Sequence, residues 1–124
     1  MGWAVVPWGC RKLLEWINDR YDNPEIVITE NGCSYEDSLD KRGVNDEERI
    51  EYYQGYLKAC RDAIKNGVNL TTYFAWSFMD NFEWASGYSK RFGLHYVDYE
   101  TLERVPKASA LWLRKVIESN GQLL

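Results

Sequence analysis

The sequence predicts an α/β fold built from parallel strand-helix units. Two observations carry that expectation: short β-branched runs alternate with longer amphipathic stretches, and no Asn-Gly hairpin joins alternating strands, so the connections read as right-handed crossovers. A third bounds the size of the core, because 124 residues with 45% apolar and 15% aromatic side chains have the composition of one globular unit.

Between Cys10 and Tyr21, the apolar residues Leu13, Leu14, Ile17 and Tyr21 recur at helical spacing with Arg11, Lys12, Glu15 and Asp19 opposite them. Asp22-Asn23-Pro24 ends this helix, and the β-branched run that follows predicts a strand over about 25–30, suited to burial on both faces. After Glu30-Asn31-Gly32 a polar stretch runs to Gly43. A second helix is expected over about 45–66, capped by Asn45, since Asn45-Asp46-Glu47-Glu48 has capping-box spacing. Its stripe is Ile50, Tyr53, Leu57, Cys60 and Ile64, and Gly67 stops it. A strand over about 68–76 follows, then a long aromatic loop over about 77–92 and the run Phe92 to Val97. Pro106 suits the first turn of a final helix over about 106–119, with Ala110, Leu113 and Ile117 on its apolar side and Gly121 at its end. Two units cannot close a sheet, because a (β/α)8 barrel needs eight and typically ~250 residues.

Charge and pattern narrow the function classes. A net charge of -4, from 19 acidic and 15 basic residues, leaves no basic patch for phosphate backbones, so no nucleic-acid partner is expected and a neutral substrate fits better. No apolar run approaches the ~18 residues of a membrane span, and no signal-peptide pattern precedes the first helix. Met1 runs directly into Gly2-Trp3-Ala4-Val5-Val6-Pro7-Trp8, which reads as the middle of an ordered segment. A missing N-terminus is therefore expected and no compartment is assigned. Cys10, Cys33 and Cys60 have neither metal-ligand spacing nor an even count, so reduced thiols, no metal and no cofactor are expected. The glycosylation pattern Asn69-Leu70-Thr71 sits at a strand entry with little room for a glycan.

In parallel barrels the reactive groups stand at the C-terminal ends of strands. Glu30 closes the first strand there, as either a reactive carboxylate held by a rigid element or a solvated Glu before an Asn-Gly turn. In the second segment Trp76-Ser77, Asp80-Asn81-Phe82-Glu83-Trp84 and Gly87-Tyr88 interleave aromatic rings with hydrogen-bonding groups. Rings can pack on the apolar face of a pyranose while carboxylates and amides bind its hydroxyls, but an aromatic mini-core under a long loop has the same composition. His95 reads as a structural imidazole and Asp80 as a loop organiser.

Ile28-Thr29-Glu30-Asn31-Gly32 resembles the nucleophile motif of glycoside hydrolase family 1, the β-glucosidase and lactase family. Trp76-Ser77, Asp80 to Trp84, Gly87-Tyr88, Arg91-Phe92-Gly93-Leu94 and Val97-Asp98-Tyr99 resemble that family's closing segment in the same order. The resemblance spans nearly the whole chain. It implies that residues 1–124 are the C-terminal part of an incomplete (β/α)8 TIM barrel, its last two βα units, from a retaining β-glycosidase acting on a β-glycoside or oligosaccharide. Glu30 is then the ionised nucleophile, Trp76, Glu83, Trp84 and Phe92 bind the sugar, and Asn31 and Arg91 support them. The resemblance also implies a cis peptide at Trp76-Ser77. Glu83 further implies an unphosphorylated sugar, since relatives acting on 6-phosphorylated glycosides usually carry Ser there. The family's acid/base belongs to a Thr-x-Asn-Glu-Pro motif that does not occur in this sequence, so Glu83 is not read as the acid and the chain alone is expected to be inactive. Two other expectations stand beside this one: a non-catalytic relative that binds glycan or protein, and a product without independent function.

Overall fold

A computed structural model describes residues 1–124. Helix α1 (Pro7–Arg20) leads to strand β1 (Ile26–Asn31), helix α2 (Glu47–Lys65) and strand β2 (Leu70–Ala75). A short 3-10 turn (Trp84–Ser86) precedes strands β3 (His95–Val97) and β4 (Arg104–Pro106), and helix α3 (Ala108–Glu118) follows. β1 and β2 pair in parallel, with Ile26 opposite Leu70, Ile28 opposite Tyr73 and Asn31 opposite Ala75, so β1-α2-β2 is one crossover unit. No barrel is closed, since the parallel sheet has two strands. No helix is long and apolar enough to cross a membrane.

Local chemistry sets several element boundaries apart from those the periodicity suggested. α1 starts at Pro7, whose ring presets the helical φ and whose missing N–H would have no partner in the first turn. After α1 the chain turns through Asp22 and Asn23, with φ of 58° and 54°, a left-handed conformation that these short polar residues tolerate. α2 is capped by Asp46 rather than by Asn45, and the cap makes no side-chain bond to its own helix. The Asp46 carboxylate instead accepts from the Ser109 backbone N–H at 2.8 Å and from the Ser109 hydroxyl, capping α3 across space. Pro106 lies in β4 and not in the final helix, which starts at Ala108. β4 pairs antiparallel with β3, Tyr96 opposite Val105, in a hairpin that the sequence reading did not foresee. Its turn is tied by Asp98, whose Oδ1 accepts from the N–H groups of Glu100 at 2.8 Å and Thr101 at 3.1 Å.

The apolar core has two parts. Leu14 of α1, Cys60 and Ala63 of α2, and Val68 pack together with Ile26, Ile28 and Tyr73 against them, so both helices cover one face of the parallel pair. Cys33, Tyr52, Tyr53 and Leu94 form the second part, joined by Ala75 and by Ala110 and Leu113 of α3. The opposite face is open, with Val27 43% and Phe74 56% exposed. Burial of the first strand on both faces is therefore not met, because alternate residues of a strand point to opposite faces and only one face has helices here.

Between α2, α3 and the loops lies a buried ionic cluster. Arg49, fully buried, donates to both oxygens of Asp37 at 3.0 and 2.9 Å, to Asp46 Oδ2, and to the Arg91 carbonyl at 2.8 Å. Lys107, also fully buried, bridges Asp37 Oδ2 and Asp80 Oδ1, the latter at 2.8 Å. Burial would lower the pKa of Arg49, but hydrogen bonds and charge from Asp37 and Asp46 override it and hold the guanidinium above its ordinary range. Arg49→Met removes that cation and leaves Asp37 and Asp46 buried beside an apolar chain. The expected loss is about 3–5 kcal/mol of unfolding free energy in a urea titration, and a loss under about 1 kcal/mol would show that the cluster does not hold the fold.

Candidate active site

The C-terminal ends of β1 and β2 meet at an unusually close approach. The Trp76 N–H donates to the Asn31 carbonyl at 2.8 Å, and the Tyr73 hydroxyl donates to Asn31 Oδ1 at 2.6 Å. A Cβ on Gly32 would overlap the Trp76 carbonyl, so only glycine fits between the strand ends. From α2, the Tyr53 hydroxyl donates to the same Trp76 carbonyl at 2.9 Å. Burial raises the pKa of both Tyr53 and Tyr73, which keeps them protonated as donors. Trp76 is thus gripped at its N–H and its C=O by neighbouring elements, and the Trp76–Ser77 peptide is cis.

Beyond it, the loop is laced to the segment around Phe92. The Ser77 N–H donates to the Phe92 carbonyl at 3.1 Å and the Leu94 N–H to the Ser77 carbonyl at 2.8 Å, while Asn81 Nδ2 donates to Ser77 Oγ at 2.9 Å. Asp80 is 3% exposed and fully engaged: it accepts from Lys107, from the Gly93 N–H at 2.9 Å and from Arg91 Nη1 at 2.6 Å. Arg91 lies over the Tyr96 ring at 3.9 Å and the Tyr99 ring at 4.7 Å, and so is held by the loop base. Glu83 is fixed by its backbone, whose N–H donates to the Gly87 carbonyl at 2.7 Å, with Trp84 (φ 41°) and Gly87 (φ 56°) shaping the tight turn after it.

These elements bring Glu30, Asn31, Trp76, Glu83, Trp84 and Phe92 around one solvent-open depression of ≈ 360 Å³. Glu30 is exposed at the end of β1, Phe92 is buried at the base, and Trp84 is 83% exposed at the rim. Arg91 is not on that lining and stands behind it with Asp80. Two lining residues escaped the sequence reading, Trp3 and Tyr52. The Trp3 ring meets the Phe92 ring at 6.1 Å between centroids, although it precedes α1 and carries no local motif. The lining combines two carboxylates with four aromatic rings besides Tyr52, a composition able to hold a polyhydroxylated ring by its faces and its hydroxyls.

Comparison with known proteins shows the family of the chain. The family model described as Glycosyl hydrolase family 1 matches residues 1–122. Beta-glucosidase 4 of Oryza sativa subsp. japonica is 51% identical over 121 residues, covering 94% of this chain and 25% of that protein. Beta-glucosidase A of Thermotoga maritima is 46% identical over 122 residues, covering 98% of this chain and 27% of that protein. A solved structure of a family 1 β-glucosidase from Thermotoga maritima superposes with a TM-score of 0.95 at 46% identity, covering 98% of this chain and 28% of that one. The chain spans about a quarter of the length of the curated relatives it matches.

The close approach at Gly32 makes a graded expectation. Tyr53→Phe removes one hydrogen bond to Trp76 and should cost about 0.5–1.5 kcal/mol in chemical denaturation. Gly32→Ala forces the strand ends apart and should cost more, about 1–3 kcal/mol. Equal or reversed costs would contradict the packing described at this junction.

Proposed function

The chain belongs to glycosyl hydrolase family 1, and on that premise we propose that it forms the nucleophile-bearing side of the active site of a retaining β-glucosidase. One observation carries the reading: Glu30, at the C-terminal end of a parallel strand, opens onto the same depression as Trp76, Glu83, Trp84 and Phe92. In a parallel barrel that end of the strands is where chemistry is placed.

On this reading a Glu30 carboxylate oxygen attacks the anomeric carbon as the aglycone oxygen leaves, forming a glycosyl-enzyme ester through an oxocarbenium-like transition state. Water then attacks the anomeric carbon from the face that the aglycone left, breaking the bond to Glu30 and releasing a sugar of retained configuration. Glu83 accepts hydrogen bonds from the outer hydroxyls of the sugar, Trp76 stacks beneath the ring, Trp84 flanks Glu83, and Phe92 closes the base. Asn31 and Arg91 act at one remove, Asn31 through the backbone of Trp76 and Arg91 through Asp80. Glu83 favours a sugar without a 6-phosphate, because a phosphate there would face its carboxylate.

A retaining mechanism needs a second carboxyl ~5 Å from the first to protonate the leaving group. We assign that proton donor to residues outside these 124, on the strands that complete the barrel. The open face of β1 and β2, with exposed Val27 and Phe74, supports that assignment. The 124-residue chain by itself is accordingly proposed to be inactive.

The test is reconstitution with a polypeptide carrying the remaining strands of a relative's barrel. The mixture should hydrolyse an aryl β-glucoside, and Glu30→Ala should lower turnover by about 10^4-fold or more, the scale on which loss of a covalent nucleophile is felt. Azide added to Glu30→Ala should restore turnover and yield the α-glycosyl azide, since a small anion then occupies the place of the carboxylate. Unchanged activity in Glu30→Ala, or turnover by the 124-residue chain alone that this variant abolishes, would overturn respectively the nucleophile assignment and the need for strands outside these residues.

A further inference from the structure

α1 and α2 lie side by side, and their contacts climb together along both helices. The Val6 N–H donates to the Tyr56 hydroxyl at 3.1 Å, Pro7 abuts Gly55, and at the far end Asn66 Nδ2 donates to Glu15 Oε1 at 2.7 Å. A Cβ on Gly55 would stand 3.0 Å from Pro7 Cγ, so the seam is tight there, and the buried Ala59 and Ala63 keep it so further along. Between these contacts Cys10 of α1 packs against the cluster that contains Cys60 of α2. Cys60 is buried, Cys10 is half-buried, and both are free thiols.

We propose that Cys10 and Cys60 are a facing thiol pair that reacts with low-molecular-weight disulfides of the glutathione class and closes into a cross-link between α1 and α2. The roles of the two sulfurs differ. Cys10 is the more accessible, and the neighbouring Cys60 side chain draws its thiol down to about 7 against the opposing effect of burial. The Cys10 side chain beside it, and then burial, push Cys60 up, so it stays protonated until Cys10 has reacted. Cys10, as thiolate, attacks one sulfur of the small disulfide. The S–S bond breaks, one thiolate departs and takes up a proton, and a mixed disulfide remains on Cys10. Cys60 then gives up its proton and attacks the Cys10 sulfur, forming the protein disulfide and releasing the second small thiol. The two cysteines lose two electrons and two protons, and the small disulfide gains both as two thiols. Cys33 takes no part. It belongs to the other core cluster with Tyr52, Tyr53 and Leu94, and burial pushes its thiol up to about 12.

The cross-link would enclose β1 and Glu30 in a covalent loop, tying together the two helices that back the strand. It stands independently of the chemistry at Glu30. The experiment treats the 124-residue chain with oxidised glutathione in native buffer and in urea, quenches with iodoacetamide, and maps the peptides by mass spectrometry. In native buffer the expected product is a Cys10–Cys60 peptide pair with the mass of two hydrogens lost and with Cys33 alkylated only after denaturation. Its urea midpoint should rise relative to the reduced chain. In urea, pairs that include Cys33 should dominate, because Cys33 is nearer to each partner along the chain and shorter loops close more readily. The Cys60→Ala variant should instead stop at a glutathione adduct on Cys10. Native-buffer disulfides that contain Cys33, a stable adduct on Cys10 in the unsubstituted chain, or no reaction at all would overturn the proposal.

Discussion

The buried ionic cluster is the constraint on which the rest of this structure depends. Asp37, Asp46 and Asp80 each join elements remote in sequence: Asp37 links Arg49 of α2 to Lys107, Asp46 links the start of α2 to the start of α3, and Asp80 links the aromatic loop to Lys107 and Arg91. The side chains of Arg49, Lys107, Asp46 and Asp80 have no exposed surface and that of Asp37 has 1%. In so dry a setting a satisfied hydrogen bond is strengthened and an unsatisfied charge is costly, so the cluster admits essentially one arrangement of the segments that supply it. The apolar clusters are small and cover one face of a two-stranded sheet. They give the chain its helices' footing without fixing where the loops go.

That arrangement reaches the candidate site through short paths. Arg49 binds the carbonyl of Arg91, the residue before Phe92, and Asp80 binds the N–H of Gly93, the residue after it, so Phe92 is set from both sides. No side chain fits at Gly93 either, where a Cβ would overlap the backbone of Met79 and Asp80. Trp76 is set in turn by Asn31, Tyr53 and the ladder to Phe92. Backbone contacts therefore position Trp76 and Phe92, leaving the exposed rings of Trp76 and Trp84 and the carboxylates of Glu30 and Glu83 available to a ligand. Such preorganisation lowers the cost of ordering a site at the moment of binding.

The sequence made some of this legible and hid the rest for physical reasons. Helical periodicity located the helices because apolar residues such as Tyr53 and Cys60 of α2 or Ala110 and Leu113 of α3 repeat with the turn, yet Ile64 and Ile117 of those stripes are 49% and 70% exposed. A stripe records the face a helix is built to bury, not how much of it is covered within one chain. Thr-Glu-Asn-Gly and Asp-Asn-Phe-Glu-Trp pointed to the lining because their residues are contiguous. Asp37, Arg49 and Lys107 gave no such signal: singly each looks like a solvated charge, and they meet across sequence separations of up to 70 residues. The β3-β4 hairpin carries no Asn-Gly signal because Asp98 makes its turn with a side-chain oxygen. Trp3 was hidden because a ring that joins a site through space leaves no pattern next to it in the chain.

The central claim, that Glu30 is the nucleophile of a site this chain only partly builds, is tested most directly by trapping the covalent intermediate. A 2-deoxy-2-fluoro-β-glucoside with an activated leaving group forms the glycosyl ester readily but releases it slowly, because the fluorine destabilises the oxocarbenium-like transition state. Incubated with the reconstituted barrel and digested, it should place one fluoroglucosyl group on the peptide carrying Glu30 and leave the 124-residue chain unlabelled when incubated alone. A label on Glu83, or on a carboxylate of the complementing polypeptide, would contradict the account.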